Sequence, residues 1–286
     1  MADKTPGGAA LKRMAKAFWP VFFTLLSVVY LYPLALVMIN SFKKKAYISR
    51  QPFVLPAGRM FAQWANYEKG LQLTDFMRSL VHSVVITVLS VMLILLCTSM
   101  CAWFITRVRN AVTRTAYGLF LFSMIVPFQM VMFTLSKMAN LLRLNTPLTI
   151  PVVYLGFGAG LSVFMFTGFV KGSPIAVEES AMMDGCSPVR LFFAIVLPIL
   201  RPTCVSVGIL QVMWIWNDYL LPYLVLDLKQ YKTIPIAVQY LRGGYGSVDM
   251  GAMMAMLVLA IIPVVVFYLG CQKYIVSGVM AGAVKG

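Results

Sequence analysis

Long apolar runs alternate with short polar segments along this chain, and the runs recur at the length a membrane demands. Continuous apolar stretches cover roughly 18–40, 79–105, 115–137, 149–170, 196–222 and 251–272. Each is close to or above the ~20 residues a helix needs to cross a hydrocarbon core about 30 Å thick. The predicted fold is all-α: six transmembrane helices in one domain over 18–272, with tails at 1–17 and 273–286. Pro127, Pro151, Pro198, Pro202 and Pro263 fall in or beside these runs. Neighbouring helices and Ser/Thr side chains in a membrane bundle re-satisfy the carbonyls that such prolines free, so kinks or half-helices are expected.

Composition agrees with this pattern. Hydrophobic residues make up 60% and charged residues 12% of the chain, and mean hydropathy is +0.85, far from a soluble domain. The formal charge of +15 comes in short groups between the runs, not along one helical face. It therefore suits anionic lipid headgroups better than nucleic acid. Lys4, Lys12, Arg13 and Lys16 precede the first run as in a secretory signal, but the run is too long and lacks a small-residue cleavage site, so it reads as a retained first helix. The basic amino-terminal tail and RVRNAVTR (Arg107 to Arg114) argue for cytoplasmic termini. Counting does not decide this, because the 24 Lys and Arg divide twelve and twelve between the two sides. Cys97 and Cys101 have no His or carboxylate companions that would make a metal site. The polar segments 41–78, with Trp64 and Tyr67, and 223–250, with LRGGYGS, are either tethers or a docking surface on the outer side.

One stretch breaks the apolar pattern. Three of only nine acidic residues, Glu178, Glu179 and Asp184, fall within seven positions. Burying them mid-bilayer would cost about 2.5–3.5 kcal/mol each, so the segment is expected outside the membrane. Ser173-Pro174 and Ser187-Pro188 each read as an N-cap followed by Pro at the first helical position. Gly185 reads as a left-handed stop between them. The prediction is helix 174–184, elbow, then a second helix running through Leu191, Phe192 and Ile195 into the fifth span at Pro198. Ala181 and Gly185 leave a nearly bare strip for close approach, and Met182 and Met183 offer soft apolar contacts. Glu179 is expected to accept hydrogen bonds near the next helix, and Asp184 to hold the elbow. Against this stands a plain solvated loop.

At these residues the sequence resembles the EAA signature of binding-protein-dependent ABC importer permeases. Glu179, Ala181, Asp184, Gly185, Phe192, Ile195, Leu197 and Pro198 fall in register, with Ser180 and Cys186 replacing the usual Ala. WIWNDYLLP (Trp214 to Pro222), the TIP at Thr233 and the ending GVMAGAVKG resemble the maltose-type, carbohydrate-uptake permeases. The resemblance implies a type I importer permease fold with a cytoplasmic coupling helix within 173–195. In that reading Glu179, Ala181, Met182, Met183, Asp184, Gly185, Phe192 and Pro198 face or transmit force from an ATPase. The implied partners are a second, related permease, two ATP-binding subunits holding ATP and Mg, an external solute-binding protein and a carbohydrate, in a prokaryotic cell membrane with both termini cytoplasmic. The chain itself would bind no cofactor. The tail AGAVKG, with Lys285, would approach the ATPase interface.

Candidate substrate-path residues are Gln129, beside the kinking Pro127, and Trp216, Asn217, Asp218 and Tyr219 near the outer end of the fifth span. Intramembrane polar groups usually face a cavity or a partner. The other reading of the second group is a Trp/Tyr interface belt with Asn217 bonded to a neighbouring helix. The sequence has no G-x-x-x-x-G-K-[ST] phosphate loop, and the lone His82 has no nucleophile partner and reads as an interfacial polar residue. The rival function is a proton-coupled secondary transporter, for which Asp218 is the only candidate group. No internal repeat supports that rival.

Overall fold

In the computed structural model, residues 6–241 and 249–283 are described, with side chains over 18–241 and 249–274. The glycine-rich stretch after Leu241, the side chains of the AGAVKG tail and Lys285 lie outside the described residues. The chain divides into two compact units, residues 1–73 with 241–260, and residues 74–240 with 261–286.

In the first unit, α1 (Pro6–Ser41) carries the first apolar run, and every residue from Phe18 to Ala35 is exposed, as suits a helix bathed in hydrocarbon. The polar segment after it is folded on itself. It contains α2 (Lys45–Arg50), a 3-10 turn at Gly58–Met60 and α3 (Ala65–Thr74). Its anchor is Lys43, fully buried, whose ammonium donates to Asn40 Oδ1 at 3.0 Å and to the carbonyls of Gln51 at 2.8 Å and Pro52 at 3.1 Å. Burial lowers its pKa from the ordinary lysine value. Asn66 ties α3 to the end of α1 by donating to the carbonyls of Ser41 and Lys43 at 2.7 and 2.8 Å. Trp64 meets both Phe42 and Tyr67 edge-on, and Tyr67 lies tilted against Phe42. Lys69 pairs with Asp249, just before α14 (Met250–Ala283). Burial pushes the Asp249 carboxyl up, but Lys69 and the Ala252 amide outweigh it and hold the pKa below the usual range.

The second unit is built on α4 (Phe76–Arg107), α5 (Ala111–Ser123), α6 (Phe128–Leu141) and α7 (Pro151–Gly172). There follow α8 (Ala176–Met183), α9 (Pro188–Leu191), a π-helical turn at Phe192–Val196 and α10 (Leu197–Ile199). Then come α11 (Arg201–Asn217), α12 (Leu220–Val225) and α13 (Ile234–Gln239). The described residues include four helices long and apolar enough to cross a membrane, and six spans if each of two bent pairs counts as one.

The bent pairs are where the prolines act. The expected run 115–137 is two helices, α5 and α6, meeting at 107° across Pro127. The expected run 196–222 begins inside the Pro188–Ile199 helical segment, turns by 76° at Leu200 into α11, and is interrupted again at Asp218. Pro198 and Pro202 lie four apart, so the Pro198 carbonyl has no N–H to receive four residues on, and the Ala194 carbonyl faces the same lack at Pro198. The π turn just before Pro198 is one of the adjustments by which helices absorb such a loss.

The core of this unit forms where α4, α7 and α11 meet, and two close approaches make it possible. A Cβ on Gly160 would lie 2.9 Å from the Phe120 backbone carbonyl and 2.7 Å from Ser123 Oγ. On Gly158 it would meet Ile94 at 2.6 Å and Gln211 at 3.1 Å. Small residues on α7 thus let α4, α5 and α11 approach it. Gln211 is buried and donates to the Gly158 carbonyl at 3.3 Å and to Ser162 Oγ at 3.0 Å. His82 contacts the Lys232 carbonyl at 3.2 Å and stacks edge-on against Tyr231, so it joins α4 to the segment before α13.

This packing makes a differential prediction within one helix. Gly160→Ala puts a carbon against backbone that cannot yield and should cost about 1–3 kcal/mol, the overpacking range. Gly168→Ala has open space and should be neutral or stabilising by up to about 1 kcal/mol. Thermal unfolding in detergent of the two variants against the unmodified chain checks the difference.

Candidate functional site

The acidic stretch lies next to the C-terminal ends of α4 and α7, and one carboxylate fastens it there. Glu178 is 4% exposed. Its Oε1 accepts from Arg107 Nη2 at 2.6 Å and Nε at 3.1 Å, and its Oε2 from Trp103 Nε1 at 2.8 Å and Arg107 Nε at 3.1 Å. The same Arg107 Nη2 donates to Ser173 Oγ at 3.1 Å. A fork of this kind between guanidinium and carboxylate fixes orientation as well as sign. It comes about because Arg107 is in the last turn of α4, where a cation also suits the helix dipole, and because Glu178 is on the α8 face that turns back toward it.

The elbow follows the local sequence closely. Gly185 has φ +80°, a left-handed conformation, with nothing within 4 Å of a would-be Cβ. Conformation, not space, therefore calls for glycine there. Its N–H donates to the Met182 carbonyl and that of Cys186 to the Ala181 carbonyl, both at 3.0 Å. This is a Schellman stop, and its accompanying apolar contact is supplied by Ala181 and Cys186, which both pack on the core around Phe166, Leu191 and Phe192. Ser187 then caps α9, its hydroxyl accepting from the Arg190 amide at 3.4 Å, with Pro188 at the first helical position.

Three expectations need correction. Ser173 does not cap the first short helix. It ends α7, and α8 starts at Ala176 without a side-chain cap. Glu179 does not make the hydrogen bonds expected of it. Glu178 makes them, and Glu179 is exposed. Asp184 does hold the end of α8, but through its backbone N–H to the Ser180 carbonyl at 3.1 Å. Among the described residues its carboxylate makes no hydrogen bond or ion pair. Phe192 is buried against Trp103, with ring centroids 5.7 Å apart. Pro198 is exposed on α10. Met182 is half exposed and Met183 is 89% exposed, with Val177 and Val189 also open. An apolar face with Glu179 at its side is therefore presented outward while Glu178 and Ala181 face in.

The second group of candidates is dispersed. Asp218 accepts from Tyr154 Oη and the Leu220 amide, both at 3.0 Å, and from the Leu221 amide at 3.4 Å, so it caps the break between α11 and α12. Asn217 is exposed and donates to the Met213 carbonyl of its own helix, not to a neighbouring one. Trp216 is half-buried, and Tyr219 stacks on Tyr223 at 5.1 Å. Gln129 is exposed in the first turn of α6, and no hydrogen bond among the described residues joins it to Asn217 or Asp218. Tyr154, which sequence reasoning missed, is fully buried between Asp218 and Trp214. Among the described residues no three His, Cys, Asp or Glu side chains converge as a metal site requires.

The model of the family described as "Binding-protein-dependent transport system inner membrane component" matches residues 95–280, which include the whole acidic stretch. The chain belongs to that family. It is 35% identical over 260 residues to the probable starch degradation products transport system permease protein AmyC of Thermoanaerobacterium thermosulfurigenes, covering 91% of this chain and 93% of that one. It is 31% identical to the multiple sugar-binding transport system permease protein MsmG of Streptococcus mutans, over 94% and 97% of the two chains. Its fold is similar to that of a chain in the crystal structure of a bacterial ABC transporter importing alginate, with TM-score 0.76 and 19% identity over 96% of this chain and 99% of that one. As a member of the family, this permease is a multi-pass membrane component, and the proton-coupled rival finds no support in any of these likenesses.

Two neighbouring carboxylates should behave oppositely in this permease. Glu178→Ala leaves Arg107 and Trp103 without their acceptor and should destabilise by about 3–5 kcal/mol, the scale of a broken buried pair. Glu179→Ala should stay within about 0.5 kcal/mol. Thermal melting of detergent-solubilised variants distinguishes them.

Proposed function

We propose that this permease forms half of the translocation pathway of an ATP-driven importer, and that α8 with its elbow is the helix that couples it to an ATPase subunit. The observation that carries the proposal is the two-sided character of α8. One side is clamped by Glu178 and Ala181, and the other offers Val177, Met183 and Glu179 to a surface the chain does not itself contain. Soft, exposed Met side chains suit a partner that moves. The ATP and Mg would be held by two partner subunits and the second half of the pathway by a related permease. Both termini, with α8, would face the cytoplasm.

The cargo in this reading is a carbohydrate, most simply an oligosaccharide, delivered by an external solute-binding protein. Starch products and multiple sugars are named for the relatives above. The melibiose, raffinose and stachyose import permease MelC of Bacillus subtilis is 27% identical over 89% of this chain. A structural neighbour was crystallised in complex with an alginate pentasaccharide-bound periplasmic protein. Aromatic faces and amides near the outer end of α11, among them Trp214, Trp216 and Asn217, suit sugar rings and hydroxyls. Asp218, already committed to Tyr154 and two amides, would act there as a scaffold.

In proteoliposomes containing the assembled transporter, uptake should require ATP on the α8 side and the solute-binding protein on the other, and should survive collapse of the proton gradient. Uptake driven by the gradient without ATP would overturn the proposal. Gly185→Pro forces the wrong φ on the elbow, and Met183→Asp puts a charge on the outward face. Each should leave membrane insertion intact and lower uptake by about tenfold or more, as loss of a central contact does. Normal uptake by both would refute the assignment of α8.

A further inference from the structure

A cavity of about 250 Å³ lies at the same end of the second unit, between the last turns of α4 and α7 and the start of α5. Arg109, Arg114 and Lys171 line it, and no carboxylate does. None of these cations has an ion-pair partner among the described residues. Lys171 instead sits 5.4 Å over the Tyr117 ring. The cavity also contains the beginning of α5, capped by Asn110 and carrying no acid in its first turn, so the positive end of that helix is left uncompensated. The independent observation is Thr167. It lines the same cavity, is 1% exposed, and its hydroxyl has no hydrogen-bond partner among the described residues. The other lining threonines, Thr106 and Thr113, donate to backbone carbonyls, and the half-buried Tyr117 presents its ring to Lys171. Buried hydroxyls are rarely left without a partner.

We propose that this cavity is a binding site for a phosphate group, supplied by the headgroup of an anionic phospholipid or by a free phosphate ion. Three cations and a helix N-terminus supply the charge, and the Thr167 hydroxyl supplies a donor to a phosphate oxygen. The volume falls below the roughly 300–1,000 Å³ of pockets for larger organic ligands, which favours a small anionic group. Basic pockets between spanning helices at the cytoplasmic face hold anionic headgroups in general. Only the side of the membrane on which the cavity opens rests on the proposed orientation. The site itself rests on the cavity's own residues, and its test does not read transport.

The assembled transporter is placed in lipid discs of phosphatidylcholine alone or mixed with phosphatidylglycerol, and retained lipid is measured by native mass spectrometry. In a second arm, inorganic phosphate is titrated into the phosphatidylcholine discs while thermal stability is followed. Retention of phosphatidylglycerol without a phosphate effect identifies the headgroup as the source, and a phosphate-dependent rise in melting temperature identifies the free ion. The variant combining Arg109→Gln, Arg114→Gln and Lys171→Gln should weaken whichever is bound by roughly fivefold per cation, on the order of a hundredfold together. Thr167→Val, which keeps shape and charge, should weaken it by a few-fold. If the triple variant does not fold, Thr167→Val and the single Lys171→Gln carry the test. Unchanged binding in the variants, or no response to either probe in the unmodified transporter, overturns the proposal, as it would if the cavity instead received a carboxylate from a partner subunit.

Discussion

The pairing of Glu178 with Arg107 and Trp103 is the constraint on which the acidic stretch depends. Taking both charges out of water costs several kcal/mol, and a buried pair repays this only when its remaining hydrogen-bonding capacity is met. Here both carboxylate oxygens accept at least two bonds, and the guanidinium reaches Ser173 as well. An apolar pair of the same volume could hold α8 as firmly, so what the ion pair adds is direction. At about 100° per residue, Met183 lies about 140° around the helix from Glu178. Fixing one side chain inward therefore fixes the other outward. Glu179, about 100° from Glu178, is left at the flank.

The breaks in the spanning segments follow a related economy. A helix interrupted in hydrocarbon exposes backbone groups that lipid cannot satisfy, so each break needs local partners. Asp218 supplies them between α11 and α12 by accepting from the Leu220 and Leu221 amides, and Tyr154 in turn occupies its other oxygen. An acid used this way belongs to the scaffold. It need not carry protons across the membrane to account for its place in an apolar span, which removes the one residue on which the rival mechanism relied. Lys43 plays a comparable part in the first unit, where its ammonium gathers one acceptor from the last turn of α1, Asn40, and two from the polar segment after it, Gln51 and Pro52.

What the chain revealed before its structure was known is what local chemistry decides. Apolar length predicted helices. Of the five prolines expected to kink or break them, Pro127, Pro198 and Pro202 lie at or beside breaks, because a missing N–H acts on its own helix. Pro151 instead opens α7, and Pro263 lies inside the continuous α14. Gly185 was legible as a stop because a Schellman turn is closed by residues within five positions of one another. Ser187-Pro188 was legible for the same reason, whereas Ser173-Pro174, the same dipeptide pattern, served to end α7. There the hydroxyl donates to the Val170 carbonyl of the last turn of α7 and accepts from Arg107, 66 residues away. The exchange of roles between Glu178 and Glu179 was hidden likewise, since only packing decides which of two adjacent acids faces the end of α4. The prolines marked where the chain bends but not by how much, 107° and 76°. The burial of Tyr154 rests on Asp218, 64 residues away. That of Lys43 rests on nearby Asn40, Gln51 and Pro52, but nothing in the run Lys43-Lys44-Lys45 marks which lysine turns inward.

On the proposed reading, motion applied to α8 has two routes into the membrane domain. The first runs through the Gly185 elbow and α9 to the π turn, and then around the 76° bend at Leu200 into α11. By itself this path contains two joints, and a joint can absorb motion as easily as pass it on. The second route crosses directly from Glu178 to Arg107 and Trp103 at the end of α4, which packs along α7 and α11. Trp103 also meets Phe192 of the π turn, so the two routes are tied together beyond the elbow. α8, the end of α4 and the π turn thus form a closed triangle of contacts, with Leu191 and Phe192 buried within its core. A triangle cannot shear without breaking a side, so the elbow can turn the chain without acting as a hinge. The exposed Met183 face then reports its displacement to α4 and to the segment leading into α11 together.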